Sequence, residues 1–168
     1  LTHGNISKQA QQISAWFPRF AGTNKVNLGA LPFFHVFGMS CAMNFSVYMG
    51  WGDILIPRPQ PEPLLEAIKK FKPNFGALVP TMYIGMLNHP EFKKIDLTCF
   101  KGFFSGSAPL PVEVIHDFEK ATGAVIVEGF GMTETTPVTH TNPFEGVRKI
   151  GSIGLPISDT ECRIVDLD

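Results

Sequence analysis

Charge is scarce in this sequence. Asp, Glu, Lys and Arg make up 17% of its 168 residues, against about 25% in an average soluble domain. The formal net charge is −1, so there is no electrostatic reason to expect nucleic acid as a partner. Long apolar runs are missing too. None reaches the ~18 residues needed to span a bilayer, and no signal-peptide pattern opens the chain. Cysteine is limited to Cys41, Cys99 and Cys162, odd in number, far apart and without metal spacing. That fits reduced thiols in a cytoplasmic protein better than a disulfide framework. His3, His35, His89, His116 and His140 are scattered without ligand spacing, and no Ser-His-Asp arrangement is present. A G-x-G-x-x-G fingerprint with its acidic residue ~20 positions on is absent as well, which argues against a nucleotide-dependent dehydrogenase.

What is present is apolar and rich in phenylalanine: 44% hydrophobic residues, with 15 Phe. A surplus of this kind is expected to be covered, either by further chain or by an apolar ligand. The length suffices for one domain. The chain opens at Leu1 on a helix-entry signal, and Val165-Asp166-Leu167-Asp168 reads as a strand entering a turn. Both ends are expected to be cuts within a longer polypeptide.

Strands and helices alternate. Thr2 or Asn5 is placed to cap a helix through Gln11, Ile13, Trp16 and Phe17 that stops near Pro18 to Gly22. Strands are expected at Val26–Leu31, Asp53–Ile56, Phe75–Val79, Phe100–Ser105 and Ala124–Glu128. Helices are expected at Met39–Met49, Pro61–Phe71, Pro80–Met86 and Pro111–Thr122. The fold class this predicts is α/β, a mostly parallel sheet flanked by helices. After Thr135 the pattern changes to short extended pieces around Asn142-Pro143, Gly146, Gly151, Gly154 and Pro156, the start of a β-rich subdomain. The expected division is residues 1–25 in a helix of a preceding subdomain, 26–135 in the α/β subdomain and 136–168 in the β-rich one.

Ligands of open α/β sheets bind just past the carboxyl ends of strands, and two stretches stand there. Phe104-Ser105-Gly106-Ser107-Ala108-Pro109 has small residues that let a flat ring or a phosphate reach the backbone. Glu128-Gly129-Phe130-Gly131-Met132-Thr133-Glu134 offers two glycines for tight turning, an aromatic face, a hydroxyl and a carboxylate. Together they suit a base, an α-phosphate and Mg²⁺, which takes oxygen ligands from both carboxylate and phosphate. Taken alone, the first is an ordinary turn, and Thr133 and Glu134 equally suit a helix cap or solvent. A third stretch, Leu31-Pro32-Phe33-Phe34-His35-Val36-Phe37-Gly38, sets one histidine among phenylalanines. It reads either as a core residue or as the polar head of an apolar slot.

In this order the pieces resemble the adenylate-forming superfamily of acyl-CoA synthetases, aryl-CoA ligases, luciferases and peptide-synthetase adenylation domains. Leu1 to Ile6 is similar to the helix entry after the family's phosphate loop. Leu31 to Gly38 is similar to its LPxFH motif, Ser105 to Leu110 to SGGAPL, Gly129 to Glu134 to GYGMTE, and Gly151 to Pro156 to GSxGxP. Residues 142–168 resemble long-chain fatty acyl-CoA synthetases most, and a coumarate-type aryl-CoA ligase is the nearest rival. The resemblance implies that a fatty acid is activated by ATP as acyl-AMP and passed to CoA. It implies that Thr133 contacts the α-phosphate and Glu134 holds Mg²⁺. Ser107, Ala108 and Pro109 would line one side of the adenine, and Glu128, Gly129 and Phe130, with Gly131, the other. It sets His35 beside the acyl carboxylate and makes Phe37, Met39 and Phe104 border the acyl channel, with helix Pro80–Met86 nearby. Fatty acid, ATP and CoA are then the partners, and peripheral membrane contact stays compatible with the composition.

Departures are few. Ser107 stands for a commoner Gly or Ala, Phe130 for Tyr, and Met39 where some long-chain members carry a Trp gate. The phosphate loop, the ribose-binding Asp, the hinge and the C-terminal domain with its Lys have no counterpart in these residues. The chain alone is therefore expected to be inactive, and to self-associate through surfaces that are normally covered. All of this requires the Thr133–Glu134 turn to face the Ser107–Pro109 turn across a nucleotide-sized gap at one edge of the sheet.

Overall fold

The computed structural model describes residues 1–22 and 24–166. The first helix, α1 (His3–Trp16), begins in a capping box. Asn5 N–H donates to Thr2 Oγ1 (3.2 Å) and Thr2 N–H donates to Asn5 Oδ1 (2.7 Å). It ends before Pro18, where the chain turns inward through buried Phe17 and Phe20. Strand β1 (Val26–Gly29) follows. The segment after it forms a helix as expected, but of unexpected kind: Gly38–Asn44 is π-helical and only Phe45–Met49, α2, is α-helical. Periodicity alone does not separate these two geometries, and π-turns concentrate at functional sites.

The elements that follow are β2 (Gly52–Leu55), α3 (Pro61–Phe71), β3 (Phe75–Leu78), α4 (Pro80–Leu87), β4 (Gly102–Ser105), α5 (Val112–Thr122) and β5 (Ile126–Gly131). Proline in the first turn starts α3 and α4. Glu62 near the start and Lys69 and Lys70 near the end of α3 suit its macrodipole. The chain closes with β6 (Val138–Thr141) and β7 (Leu155–Pro156).

The seven strands found among the described residues form one sheet in the order β2-β1-β3-β4-β5-β6-β7, with the first five parallel and the last two antiparallel. The short pieces expected after Thr135 thus extend the same sheet. Val165 and Asp166, expected in a strand, are not in one because no strand pairs with them; residues 167–168 lie outside the described residues.

Adjacent phenylalanines show the two faces. Phe104 meets Phe17 and Phe37 on the side of α1 and the irregular helix, while Phe103 meets Tyr83 and Phe118 on the side of α4 and α5. Most of the phenylalanines are buried in these two layers, so the surplus is largely internal packing rather than a surface awaiting cover. Phe34, at 95% exposure, is the clearest of three exceptions, with Phe71 and Phe130. Among the described residues no helix is long and apolar enough to cross a membrane.

Candidate functional site

The register of the parallel sheet builds the site. Ser105 at the end of β4 lies beside Glu128 on β5, so the stretches that leave these strands emerge side by side at the carboxyl edge. The second stretch is not a free loop as expected. Strand β5 runs on through Gly131, and Gly129, Phe130 and Gly131 pair with β6 in antiparallel fashion. Glycine makes this possible. A Cβ at Gly129 would sit 2.4 Å from the Phe104 ring, and one at Gly131 would sit 2.0 Å from Pro137 O. The chain then makes a 3-10 turn, Thr133–Thr135, passes Thr136 in the left-handed region (φ 70°) and returns through a cis Thr136–Pro137 bond.

Two adjoining clefts result. One, of about 220 Å³, is lined by His35, Val36 and Phe37, by Phe104, Gly106 and Ser107, and by Gly129 to Thr133. The other, of about 320 Å³, lies between Ser105 to Pro109 and Glu128 to Gly131, and is closed by Gly151, Ser152 and Ile153. Ser107, Gly129, Phe130 and Gly131 line both clefts and form the ridge between them. Of the two turns that the sequence argument sets across a gap, Ser107 and Thr133 share the smaller cleft, Ala108 and Pro109 face Glu128 to Gly131 in the larger, and Glu134 lines neither. Both turns stand at one edge of one sheet.

Most of the expected site residues meet here. Ser107, Ala108, Pro109, Glu128, Gly129, Phe130 and Gly131 all face the larger cleft, and Thr133, His35, Phe37 and Phe104 face the smaller. His35 is exposed, which removes the core-residue alternative. Its Nδ1 accepts the Phe37 N–H (3.1 Å), so the neutral ring carries its proton on Nε2 and keeps a donor free. Phe37 and Phe104 meet edge to face at 5.4 Å and close the floor of the smaller cleft. Behind that wall, Tyr83 of α4 donates to Phe104 O (3.2 Å). Two expected residues are not on a cleft wall: Glu134 is exposed on the turn, and Met39 is half-buried on the irregular helix.

The sequence reading gave no role to the third wall, Gly151–Ile153, although the segment stood among the matched motifs. Gly151 N–H donates to Glu128 Oε2 (2.7 Å), Asn142 Nδ2 donates to Ser152 O (2.7 Å), and Lys149 N–H donates to Asn142 Oδ1 (2.9 Å). Arg148 pairs with Glu119 of α5 and also donates to Ile126 O (2.6 Å), while Ile126 N–H donates to Glu119 Oε1 (2.7 Å). Burial pushes the Glu128 carboxyl up, opposed by the N–H groups of Gly151 and Leu110 and by the Arg148 charge. Ser105 Oγ is buried where β4 meets the larger cleft and finds no partner among the described residues. A buried hydroxyl left unpaired calls for a ligand or water there. Ser107 holds φ 70°, a conformation that costs a side-chain-bearing residue about 1 kcal/mol or more. Strain of this sort gathers at ligand sites.

The family model described as AMP-binding enzyme matches residues 1–168. This chain belongs to the AMP-binding enzyme family. It is 46% identical over 165 residues to the long-chain-fatty-acid–CoA ligase of Bacillus subtilis, covering 98% of this chain and 29% of that protein. It is 30% identical over 170 residues to the ligase of the same name from Escherichia coli O157:H7, covering 100% of this chain and 30% of that protein. The chain thus spans under a third of these relatives. Among solved structures, anthranilate CoA ligase AuaEII in complex with anthranoyl-AMP superposes with a TM-score of 0.90 at 27% identity, over 99% of this chain and 32% of that one. ATP-bound MatB from Rhodopseudomonas palustris gives 0.80 at 28% identity, over 94% and 30%. The two relatives and AuaEII carry the names of acid–CoA ligases, and the mostly parallel sheet flanked by helices is shared with the AuaEII structure.

Proposed function

We propose that this chain is the nucleotide- and acid-facing part of an ATP-dependent acyl-CoA ligase that acts on fatty acids. One observation carries the reading: the turn after β4 faces the extended end of β5 and the turn that follows it across the paired clefts at the carboxyl edge of the sheet. The cleft between Ser107–Pro109 and Glu128–Phe130 takes the adenine, flat against small residues and the Phe130 ring. The smaller cleft takes the α-phosphate and the acid, with Thr133 toward the phosphate and the free Nε2–H of His35 toward the carboxylate or its developing charge. Phe37 and Phe104 present an apolar floor to the start of the alkyl chain.

The chemistry has two steps. A carboxylate oxygen attacks the α-phosphorus of ATP, the bond to the bridging oxygen breaks, and pyrophosphate leaves. The CoA sulfur then attacks the acyl carbon of the acyl-AMP and AMP leaves. The residues here hold the reactants in line and meet charge as it develops, the main means of phosphoryl-type catalysis. Among the described residues no cluster of three metal-binding side chains occurs. A single carboxylate sharing Mg²⁺ with ATP oxygens is the donor set that ion takes in such sites, and Glu134 fits that part. Bound there, the ion would neutralise phosphate charge.

In the whole-length protein residues 1–25 lead in from a preceding subdomain and 136–168, although β6 and β7 extend this sheet, begin a β-rich one, and we expect these 168 residues alone to form no acyl-CoA. The test is acid-dependent exchange of labelled pyrophosphate into ATP by the full-length protein, with a panel of C8–C18 and aromatic acids. Exchange driven by the fatty acids supports the proposal. Preference for cinnamates redirects it to an aryl acid, and absence of exchange with every acid overturns it.

A further inference from the structure

The Thr133–Thr135 turn is fixed from within by short-range bonds: Met132 N–H to Pro137 O (3.0 Å), Thr135 N–H to Met132 O (3.0 Å) and Thr135 Oγ1 to Pro137 O (2.6 Å). It ends on Thr136, a β-branched residue at φ 70°. A β-branched side chain in the left-handed region is a true outlier and persists only where its surroundings over-determine it. Two polar side chains from distant parts of the chain bracket that residue. Ser40 Oγ donates to Thr136 O (3.1 Å) and Gln9 Oε1 accepts from Val138 N–H (2.5 Å). Both are 1% exposed. Burying an amide and a hydroxyl this fully is unfavourable unless they are bonded, and packing alone gives no reason for either polar group.

Gln9 passes the constraint on. Its Nε2 donates to Gln12 Oε1 (3.0 Å), and Gln12 Nε2 donates to Ser158 O (2.7 Å), so α1 holds the strand after the turn and the segment beyond β7 together. Ser40 lies in the π-helical stretch three residues after Phe37. The helix that carries the apolar floor therefore also grips the turn on the opposite rim.

We infer that Gln9 and Ser40 are positioning residues for the Thr133–Glu134 turn, setting where its hydroxyl and carboxylate stand against the phosphate. The inference rests on the reading of that turn given under Proposed function. Neither residue lines either cleft, so their effect belongs to the adenylation rate and not to acid binding.

The experiment uses the full-length protein with Gln9→Met, Ser40→Ala and the double variant. Acid-dependent pyrophosphate exchange is normalised to active sites titrated with a non-hydrolysable acyl-adenylate analogue. Each single change is expected to lower kcat about ten- to a hundredfold, the scale of misplacing a reacting group by about an ångström, with KM for the acid within about twofold. Because both hold one turn, the double variant is expected to lose clearly less than the product of the singles. A purely structural role lowers the titrated fraction and leaves kcat per site unchanged; that result, or effects that multiply, overturns the inference. Ser40→Ala removes one oxygen and keeps the test available should Gln9→Met fail to fold. If the unmodified protein shows no exchange at all, the proposed function fails and takes this inference with it.

Discussion

On one rim of the smaller cleft, Phe37, Phe104 and Gly106 meet through ring contacts, with the Phe37 ring 3.1 Å from where a Gly106 Cβ would lie. Across from it and on round the larger cleft, the chain from Met132 to Ile153 hangs on hydrogen bonds and two ion pairs that reach Gln9, Arg19, Ser40, Glu119 and Glu128. Packing is collective and tolerates exchanges of similar volume. A polar suspension is a short series of bonds, and losing one partner leaves another group buried and unsatisfied. The apolar rim should therefore tune which acid fits, and the polar rim should decide whether the chemistry proceeds.

That contrast can be broken most sharply at the turn itself. Replacing Thr133 or Glu134 by Ala is expected to lower kcat about 10²–10³-fold, as when a developing charge loses a donor or counter-charge; pyrophosphate exchange by the full-length protein measures it. On the apolar rim, Phe37→Ala should destabilise by about 3 kcal/mol and Phe37→Met by less than about 1.5 kcal/mol. Both should shift acid preference while leaving KM for ATP nearly unchanged, as read by denaturant unfolding and the acid panel.

The suspension of the third wall comes next. The Arg148 and Glu119 side chains are about one-fifth exposed, at 19% and 18%, so Arg148→Met should cost about 2 kcal/mol, below the figure for a fully buried pair. It should also raise KM for ATP through Ser152 and Ile153. A double change to Met at both positions should recover most of the stability, because no charge is then stranded.

Glu128 gives a pH signature on the same rim. Its carboxyl is raised in the folded state, so between the ordinary Glu range and that raised value the folded protein binds more protons than the unfolded one. Stability on its account is full below the unfolded value and falls as pH rises through the folded one. Glu128→Gln should abolish that part of the slope in melting temperature against pH. The smallest expected effect is at Ser107, where Gly relieves the left-handed strain and should stabilise by about 0.5–1 kcal/mol.

The same contrast separates what was legible in the sequence from what was not. Helix α3 was found to the residue because Pro61, the spacing of Leu64, Leu65 and Ile68, and the terminal charges are all local signals. The stretches around Ser107 and Thr133 were legible because small residues and glycines follow strands, and two parallel strands in register bring their ends together. The continuation of β5 through Gly131 was not, since it depends on how closely Pro137 and Phe104 approach. Nor was the π-helical stretch, whose apolar spacing matches an ordinary buried helix. Gln9 and Ser40 could not be picked out from α1 or from a small-residue run, because the groups they hold lie 129 and 96 positions away. Short-range pattern carries the frame, and long-range hydrogen bonds set the turn.

The claim that matters most is that an adenylate sits between Ser107–Pro109 and Glu128–Phe130. Ala108 is exposed on that wall, so Ala108→Trp fills the cleft without disturbing the core. Calorimetric titration of a non-hydrolysable acyl-adenylate analogue into the full-length protein and this variant is the direct measurement. The account predicts binding to the unmodified protein and a loss of at least about tenfold in the variant, a cost of about 1.4 kcal/mol or more, at unchanged melting temperature. Equal affinity in the two proteins would contradict it.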